Sequence, residues 1–457
     1  MSDMQGVVGV YSRVDAVKKA LYTLYGVQHR GQESSGLSAA GDRSLRTWKE
    51  RGLVSKVFVD RFPSFIHPDD YVVIGCASGE NADKEIAPIG LETDRYQISL
   101  TFDGYVPDRG DGTNEEAFAR VLRVKLEGGT GIEEALSGAM EDLPRSYYCL
   151  VMAVRDKEAG ESFLVAARDP VGVRPLYVAF SDEDVIVASE SAPIDVMESM
   201  GMSFRERRDF APGSILKVDG RGVEERQVLE PRRGHCIFEW VYFGRPDSVI
   251  EGQTVHSVRK RLGHALVETY GLKDEYEGEG VVVIPTPDSG RSVCTGVAEW
   301  LGIPSDEGVI KNAYLGRTYI IDDPVFRKTA SDLKHNIIKE TVRGKRVVIT
   351  DDSIVRGTVS ESVAQNLLKA GAREVDFLVS YGPIYYPCFS DPEDKPLAAR
   401  AFEGQDLVKV GELVAKGLPS IQNVRYNSPE SVVGATELPR EHLCIHCMTG
   451  ESPFQRG

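Results

Sequence analysis

No apolar run in this 457-residue chain approaches the ~18 residues of a membrane span, and the N-terminus lacks a signal peptide's basic and apolar regions. A cytoplasmic location is therefore expected. Low-complexity tracts and internal repeats are also missing. Cysteine is sparse and odd in number, at seven, which argues against a disulfide framework in a large chain of this kind. There is no basic excess either: 54 Lys and Arg face 70 Asp and Glu, for a net charge of −16. That excludes nucleic acid or an anionic membrane as the main partner. An anionic substrate must instead be held by local cations and backbone donors, against the overall field. What is present is globular, with 41% hydrophobic and 27% charged residues, and the length predicts two domains.

The most informative run is Val347-Val348-Ile349-Thr350-Asp351-Asp352-Ser353-Ile354-Val355-Arg356-Gly357-Thr358. A β-branched strand leads to two carboxylates, then to a short loop with a glycine and hydroxyls. A helical pattern follows, with Val359, Val363 and Leu367 at i, i+4 and i+8 and Gly371 as the stop. Backbone N–H groups of such a turn, with the positive end of a helix dipole, hold a phosphate monoester. Two carboxylates at the strand end suit ribose hydroxyls and a divalent cation. This is what a site for phosphoribosyl pyrophosphate (PRPP) requires.

Up to about Val218 the pattern is mostly short strands, at Gly6 to Tyr11, Tyr71 to Ile74, Gln97 to Phe102, Cys149 to Val154, Phe163 to Ala167, Val185 to Ala188 and Ile215 to Val218. Helical stretches, Val14 to Tyr25 and Glu115 to Val124, are interspersed, which fits α+β layers. The polar segment from Asp219 to Gly234 reads as an interdomain crossing. Domains are accordingly placed at 1–230 and 231–457. In the second, the strands Val281 to Ile284, Val347 to Ile349 and Val375 to Val379 alternate with helices, which predicts a parallel sheet with ligands at its carboxyl ends. The first of these strands runs into Pro285-Thr286-Pro287-Asp288-Ser289-Gly290, a second tight loop opening a helix.

Several further strings stand in order along nearly the whole chain: Gln28-His29-Arg30-Gly31-Gln32-Glu33-Ser34, Arg168-Asp169-Pro170-Val171-Gly172-Val173-Arg174-Pro175-Leu176, Ala188-Ser189-Glu190-Ser191, Ile237-Phe238-Glu239-Trp240-Val241-Tyr242-Phe243 and Arg245-Pro246-Asp247-Ser248. With the two loops above, they resemble the glutamine PRPP amidotransferase family of purine biosynthesis. The resemblance implies an N-terminal glutaminase-like domain of the N-terminal-nucleophile (Ntn) hydrolase fold, layered αββα, and a C-terminal type I phosphoribosyltransferase domain.

In that family an N-terminal cysteine attacks the glutamine amide. Its position here is Gln5, in Gln5-Gly6-Val7-Val8-Gly9-Val10-Tyr11, and an amide cannot form the acyl-enzyme. The arginine that holds the glutamine carboxylate aligns with Ser78. The oxyanion-hole Asn-Gly is Asp103-Gly104, which puts a carboxylate where negative charge must develop. The aspartate that pairs with the α-ammonium aligns with Asn114. The glutaminase is therefore expected to be inactive. Ser2 lies three residues upstream of the nucleophile position, and Cys76 reads as a structural thiol.

The other half is better kept. By resemblance, Asp288, Ser289, Gly290, Asp351, Asp352, Ser353, Val355, Arg356, Gly357 and Thr358 bind PRPP, with Ser289, Asp351 and Asp352 at Mg²⁺. Lys311 and Arg317 begin the mobile loop over pyrophosphate and join Asp351 and Asp352 as catalytic candidates. Ala313 and Asp332 stand where the family usually has arginines. Cys236, Cys388, Cys444 and Cys447 fall where one branch holds a [4Fe–4S] cluster, with Zn²⁺ as the rival for four thiolates. Cys149 and Cys294 read as core.

The expected function is PRPP-dependent amination without glutamine hydrolysis, fed by free ammonia or by a separate glutaminase. Two alternatives are an enzyme of specialised metabolism with a different amine, and a non-catalytic subunit of an active paralogue. A homo-oligomer, dimer or tetramer, is expected by resemblance.

Overall fold

The computed structural model describes residues 4–58, 67, 69–79, 86–107, 109–110, 112–278, 280–312, 335–391 and 396–455. Arg317, Ala313 and Asp332 lie outside them, as does Ser2.

Two sheets stack in the N-terminal region. One runs in the order Glu206–Asp209, Tyr177–Phe180, Asp184–Ala188, Gln5–Ser12, Val72–Ser78, Ser34–Ala40, Leu45–Arg51. The other runs Gly222–Gln227, Ser214–Asp219, Glu161–Arg168, Tyr147–Asp156, Tyr96–Tyr105, Ile89–Glu92. Strand alternation decides what each face meets. Val7, Tyr11, Val72 and Ile74 point at Cys149, Val151, Leu164 and Leu216 of the opposite sheet. Val8 and Val10 point outward to Val17, Leu21 and Leu24 of the Ala16–Gly26 helix. The far face of the second sheet is covered by Phe118, Leu122 and Leu136 of the Asn114–Glu127 and Ile132–Asp142 helices. The result is the expected αββα layering. Gly9 permits the close stacking, since a Cβ there would lie 2.5 Å from a Val151 methyl.

The C-terminal sheet is wholly parallel, in the order Val281–Pro285, Arg346–Asp351, Glu374–Val379, Asn423–Tyr426. Both faces are buried, as parallel sheets require. Val347, Ile349 and Phe377 pack on Val363, Leu367, Val410 and Val414, while Val283, Val348 and Leu378 pack on Leu266, Val293 and Val297. No helix among the described residues is long and apolar enough to cross a membrane.

Three expectations need correction. The Asp219-to-Gly234 segment is not all crossing: Gly222–Gln227 is an edge strand, exposed along its length and mostly polar, with Val223 its one large apolar residue. Val359 is 56% exposed, so the first of the three spaced apolar positions faces outward, while Val363 and Leu367 are buried as the spacing predicts, together with Ser360 and Ala364. The strands Ser34–Ala40 and Leu45–Arg51 escape the sequence pattern, the first because its buried residues are small serines, glycine and alanines.

The Val255–Tyr270 and Gly290–Leu301 helices cross at two glycines. A Cβ on Gly296 would sit 2.2 Å from the Lys260 carbonyl oxygen, and one on Gly263 would sit 2.5 Å from that of Val293. Gly296→Ala must therefore separate two helix backbones, and a loss of about 1–3 kcal/mol is expected, read as a lower urea midpoint.

Candidate active site and interdomain centre

The neighbouring Val281–Pro285 and Arg346–Asp351 strands run parallel with Pro285 opposite Thr350, so their carboxyl ends open side by side. The loops there interlock. Thr286 N–H donates to the Thr350 carbonyl at 2.9 Å, and Thr350 Oγ1 donates to the Gly290 carbonyl at 3.1 Å. A Cβ on Gly290 would fall 2.3 Å from Thr350 O, so only glycine lets the loops meet. Asp352 is held from both sides: Ser289 Oγ donates to Oδ1 at 2.7 Å and Ser353 Oγ to Oδ2 at 2.6 Å. Its backbone N–H donates to Asp351 Oδ1 at 2.9 Å. Burial, then the Asp352 charge, pushes the Asp351 carboxyl well above the usual range.

Ile354 is buried and anchors the loop, which Val355 ties down by accepting the Ala398 N–H at 2.8 Å. Gly357 then takes φ +81°, a left-handed turn that opens the Thr358–Lys369 helix. Arg356 and Thr358 stay exposed. Lys311 Nζ reaches Asp288 Oδ2 at 3.2 Å from the edge of the Val309–Lys311 hairpin strand. Asp288, Ser289, Gly290, Lys311, Asp351, Asp352 and Ser353 are thus brought together, with Val355 to Thr358 on the same loop.

The second centre lies at the start of the Gln5–Ser12 strand. Gln5 is 2% exposed and pairs with Ser78 of the neighbouring strand. Its backbone N–H donates to Asp103 Oδ1 at 3.2 Å, and its side-chain amide donates to Glu115 Oε1. A Cβ on Gly104 would lie 2.1 Å from the Tyr147 carbonyl. Asn114 turns elsewhere, its Oδ1 accepting the Val106 N–H at 3.0 Å. Beside Asp103, the carboxylate on the Gln5 side chain therefore belongs to Glu115, which sequence reasoning missed. The pair is 110 residues apart, and only its neighbour's alignment pointed near it.

Next to Gln5 sits a network that joins the two halves. Glu239 Oε2 accepts Arg30, and Glu239 Oε1 accepts Arg174 Nη1 at 3.0 Å. Glu190 Oε2 accepts the Ser248 hydroxyl at 2.6 Å and the Arg245 N–H at 2.9 Å. Its other oxygen meets His29 Nε2 at 2.7 Å and Arg30 Nε at 3.3 Å. His29 and Arg30, opposed by burial, nonetheless hold the Glu190 carboxyl far below the usual range.

The cysteines divide as the sequence suggested. Cys149 and Cys294 are core, their thiols pushed up by burial, that of Cys294 to about 12. Cys236 and Cys444 are partners in a short parallel pairing of His235–Cys236 with Leu443–Cys444. Cys447 Sγ lies 3.0 Å from the Tyr381 hydroxyl, and burial, with Cys236 and Cys388 within electrostatic reach, raises its thiol. The four thiols share one neighbourhood, but no group of three or more His, Cys, Asp or Glu among the described residues is arranged to hold a metal. That holds for Asp351 and Asp352 as well.

No protein-family model matches the chain. Curated relatives named amidophosphoribosyltransferase do. That of Mycobacterium tuberculosis is 32% identical, spanning 98% of this chain and 86% of its own length. That of Pyrococcus horikoshii is 34% identical over 99% of this chain and 97% of its own. The chain belongs to the amidophosphoribosyltransferase family. Solved structures agree on the fold. A B. subtilis glutamine PRPP amidotransferase complexed with ADP and GMP superposes with TM-score 0.82 at 28% identity, covering 98% of this chain and 97% of that one. An allosteric regulatory enzyme of purine biosynthesis gives TM-score 0.83 at 28% identity, over 98% and 96%. The αββα layers and the parallel sheet are thus the family's glutaminase and phosphoribosyltransferase folds.

Within this family member, the Glu190 carboxylate serves donors from both halves. Glu190→Gln removes one charge from a buried set and strands Arg30 beside a single carboxylate. A loss of about 3 kcal/mol in unfolding free energy is expected by chemical denaturation, against under about 0.5 kcal/mol for an exposed control such as Glu224→Gln.

Proposed function

We propose that the chain transfers the phosphoribosyl group of PRPP to ammonia, giving 5-phosphoribosylamine and pyrophosphate, and that its N-terminal domain hydrolyses no glutamine. The observation that carries the second part is Gln5. It stands where the family's nucleophile belongs, buried, with its backbone N–H given to Asp103 and its amide to Glu115. Met4 precedes it and is itself held, its carbonyl accepting the Gly79 N–H at 3.1 Å. Nothing at that position offers a nucleophile or a free amine. Glu115 does keep an acidic group beside Gln5, so the case rests on the nucleophile, the carboxylate clamp and the oxyanion donor. Ammonia then comes from solution or from a separate glutaminase.

The transferase reading rests on the interlocked loops. Ser353 to Thr358 wrap the 5′-phosphate with backbone N–H groups at a helix start, and Arg356 adds the cation. Asp351 and Asp352 receive the ribose hydroxyls, with Ser289 holding Asp352 in place. Substitution at C1 passes through an oxocarbenium-like state, so the protein has to orient the nucleophile and neutralise departing pyrophosphate, for which Lys311, paired with Asp288 here, would supply a positive charge. Ser289, Asp351 and Asp352 are the residues that would hold Mg²⁺, which supplies charge neutralisation when bound. Cys236, Cys388, Cys444 and Cys447 would hold a [4Fe–4S] cluster, or Zn²⁺, as a staple between the crossing, the sheet and the C-terminal segment.

Turnover tests the reading. With PRPP and Mg²⁺, pyrophosphate release is expected with an ammonium salt and not with glutamine; glutamine matching ammonium would sink the inactive-glutaminase claim. Anaerobic purification is expected to give about four irons and four sulfides per chain, lost in Cys444→Ser. Zinc found by elemental analysis would instead favour the tetrahedral alternative.

A further inference from the structure

Among the described residues, the interior around Gln5 holds acceptors that no donor serves. Gln5 is 2% exposed and Asp103 0%. Gln5 Nε2 gives its hydrogen to Glu115 Oε1, so the carbonyl end of the amide is not the end bonded there. Gln5 Oε1 is therefore enclosed without a hydrogen-bond donor. Asp103 Oδ1 takes the Gln5 N–H, and Asp103 Oδ2 has no donor either. A buried acceptor left unserved costs about 1–3 kcal/mol, and more when charged. Two of them on residues bonded to each other mark a place where a donor belongs.

No nearby cation serves the second Asp103 oxygen. Arg174 pairs with both carboxylates, its Nη1 donating to Glu239 at 3.0 Å and its Nε lying 3.6 Å from Asp103 Oδ1, which leaves Asp103 Oδ2 without a donor. Arg30 is shared between Glu190 and Glu239. Among the described residues, Asp103, Glu190 and Glu239 make their ion pairs with two guanidiniums, Arg30 and Arg174, and with His29 at the rim on Glu190. A complementary ligand is thus small, cationic and able to donate several hydrogen bonds. Potassium and sodium are coordinated by the same kind of oxygen but are no source of nitrogen, and a larger amine adds carbon that a closed polar site must accommodate. Ammonium meets all three conditions.

We propose that Gln5 Oε1 and Asp103 Oδ2, beside the Glu115 carboxylate, form a binding site for ammonium in the N-terminal domain. The inference rests on ammonia being the nucleophile and adds where the nitrogen source is held. When ammonium leaves as neutral ammonia, its proton passes to a site carboxylate and no other bond changes.

Thermal melts of the whole chain at constant ionic strength, with ammonium chloride exchanged for potassium or sodium chloride, read binding without turnover. An upward shift specific to ammonium is expected, abolished by Asp103→Asn and by Gln5→Met. An equal shift with potassium, or an ammonium shift that survives both substitutions, overturns the site. Gln5→Met keeps the side-chain volume and loses the carbonyl, so it carries the test if Asp103→Asn does not fold. In turnover, Asp103→Asn is expected to raise the KM for ammonium about tenfold or more and to leave the KM for PRPP unchanged. An unaltered ammonium KM overturns the site alone. Pyrophosphate release indifferent to ammonium in the unaltered protein overturns the amination reading instead.

Discussion

Arg30, fully buried between Glu190 and Glu239, is the interaction on which the arrangement of the two halves depends. Removing a guanidinium and two carboxylates from water costs several kcal/mol per ion, and their attraction offsets that only when every lone pair finds a donor. Here nearly all do. Glu239 divides its oxygens between Arg30 and Arg174, and Glu190 divides its own between the N-terminal His29 and Arg30 and the C-terminal Arg245 and Ser248. Such a set tolerates one geometry. Apolar packing alone would allow sliding; directional bonds between charges do not.

The consequence reaches the PRPP loops. Glu239 begins a π-helical turn, Glu239–Phe243, whose Trp240 is buried. Arg259 braces that turn, donating from Nε to the Trp240 carbonyl at 2.7 Å and from Nη2 to the Gly244 carbonyl at 2.9 Å. Burial lowers the Arg259 guanidinium to about 10, while Asp352 and Glu190 act to raise it. One buried cation therefore feels both the Asp352 carboxylate and the interdomain hub. A wide π turn is a common place for function because its backbone geometry is held by context rather than by its own ladder, and this context is Arg259.

What the sequence made legible follows range. The Val347-to-Thr358 run could be read because strand, carboxylates, loop and helix start are consecutive, and Gly357 adopts the positive φ that its type allows. The αββα layering was legible through the resemblance, and the buried alternation of Val7 to Val10 agrees with it. Arg30 and Glu239 stand 209 residues apart, so no local pattern pairs them. Glu115 was missed for the same reason, and because a helix N-terminus commonly carries acidic residues for its dipole alone. Val359 misled because an apolar side chain at helical spacing still does not say which face is inside. Among the strands, Leu45–Arg51 was hidden by its charge, which an edge position permits.

The fate of the N-terminal site can be argued from electrostatics alone. An oxyanion hole works by presenting donors to negative charge as it forms. At position 103 the chain presents a carboxylate. Two like charges about 4 Å apart at an effective dielectric near 20 repel by about 4 kcal/mol, roughly a thousandfold in rate, before the lost donor is counted. The same carboxylate is well suited to the opposite sign of ligand. Its environment also keeps it in place, since the Gln5 N–H and the nearby Arg174 both favour it. A site that must avoid negative charge has little use for glutamine's tetrahedral intermediate, yet a cation is welcome there. The substitutions from amide to acid at Asp103 and from thiol to amide at Gln5 thus act together. In the proposed reading each works against hydrolysis, and jointly they leave an acceptor-rich interior fixed against the same Arg30–Glu239 pair that orients the transferase half.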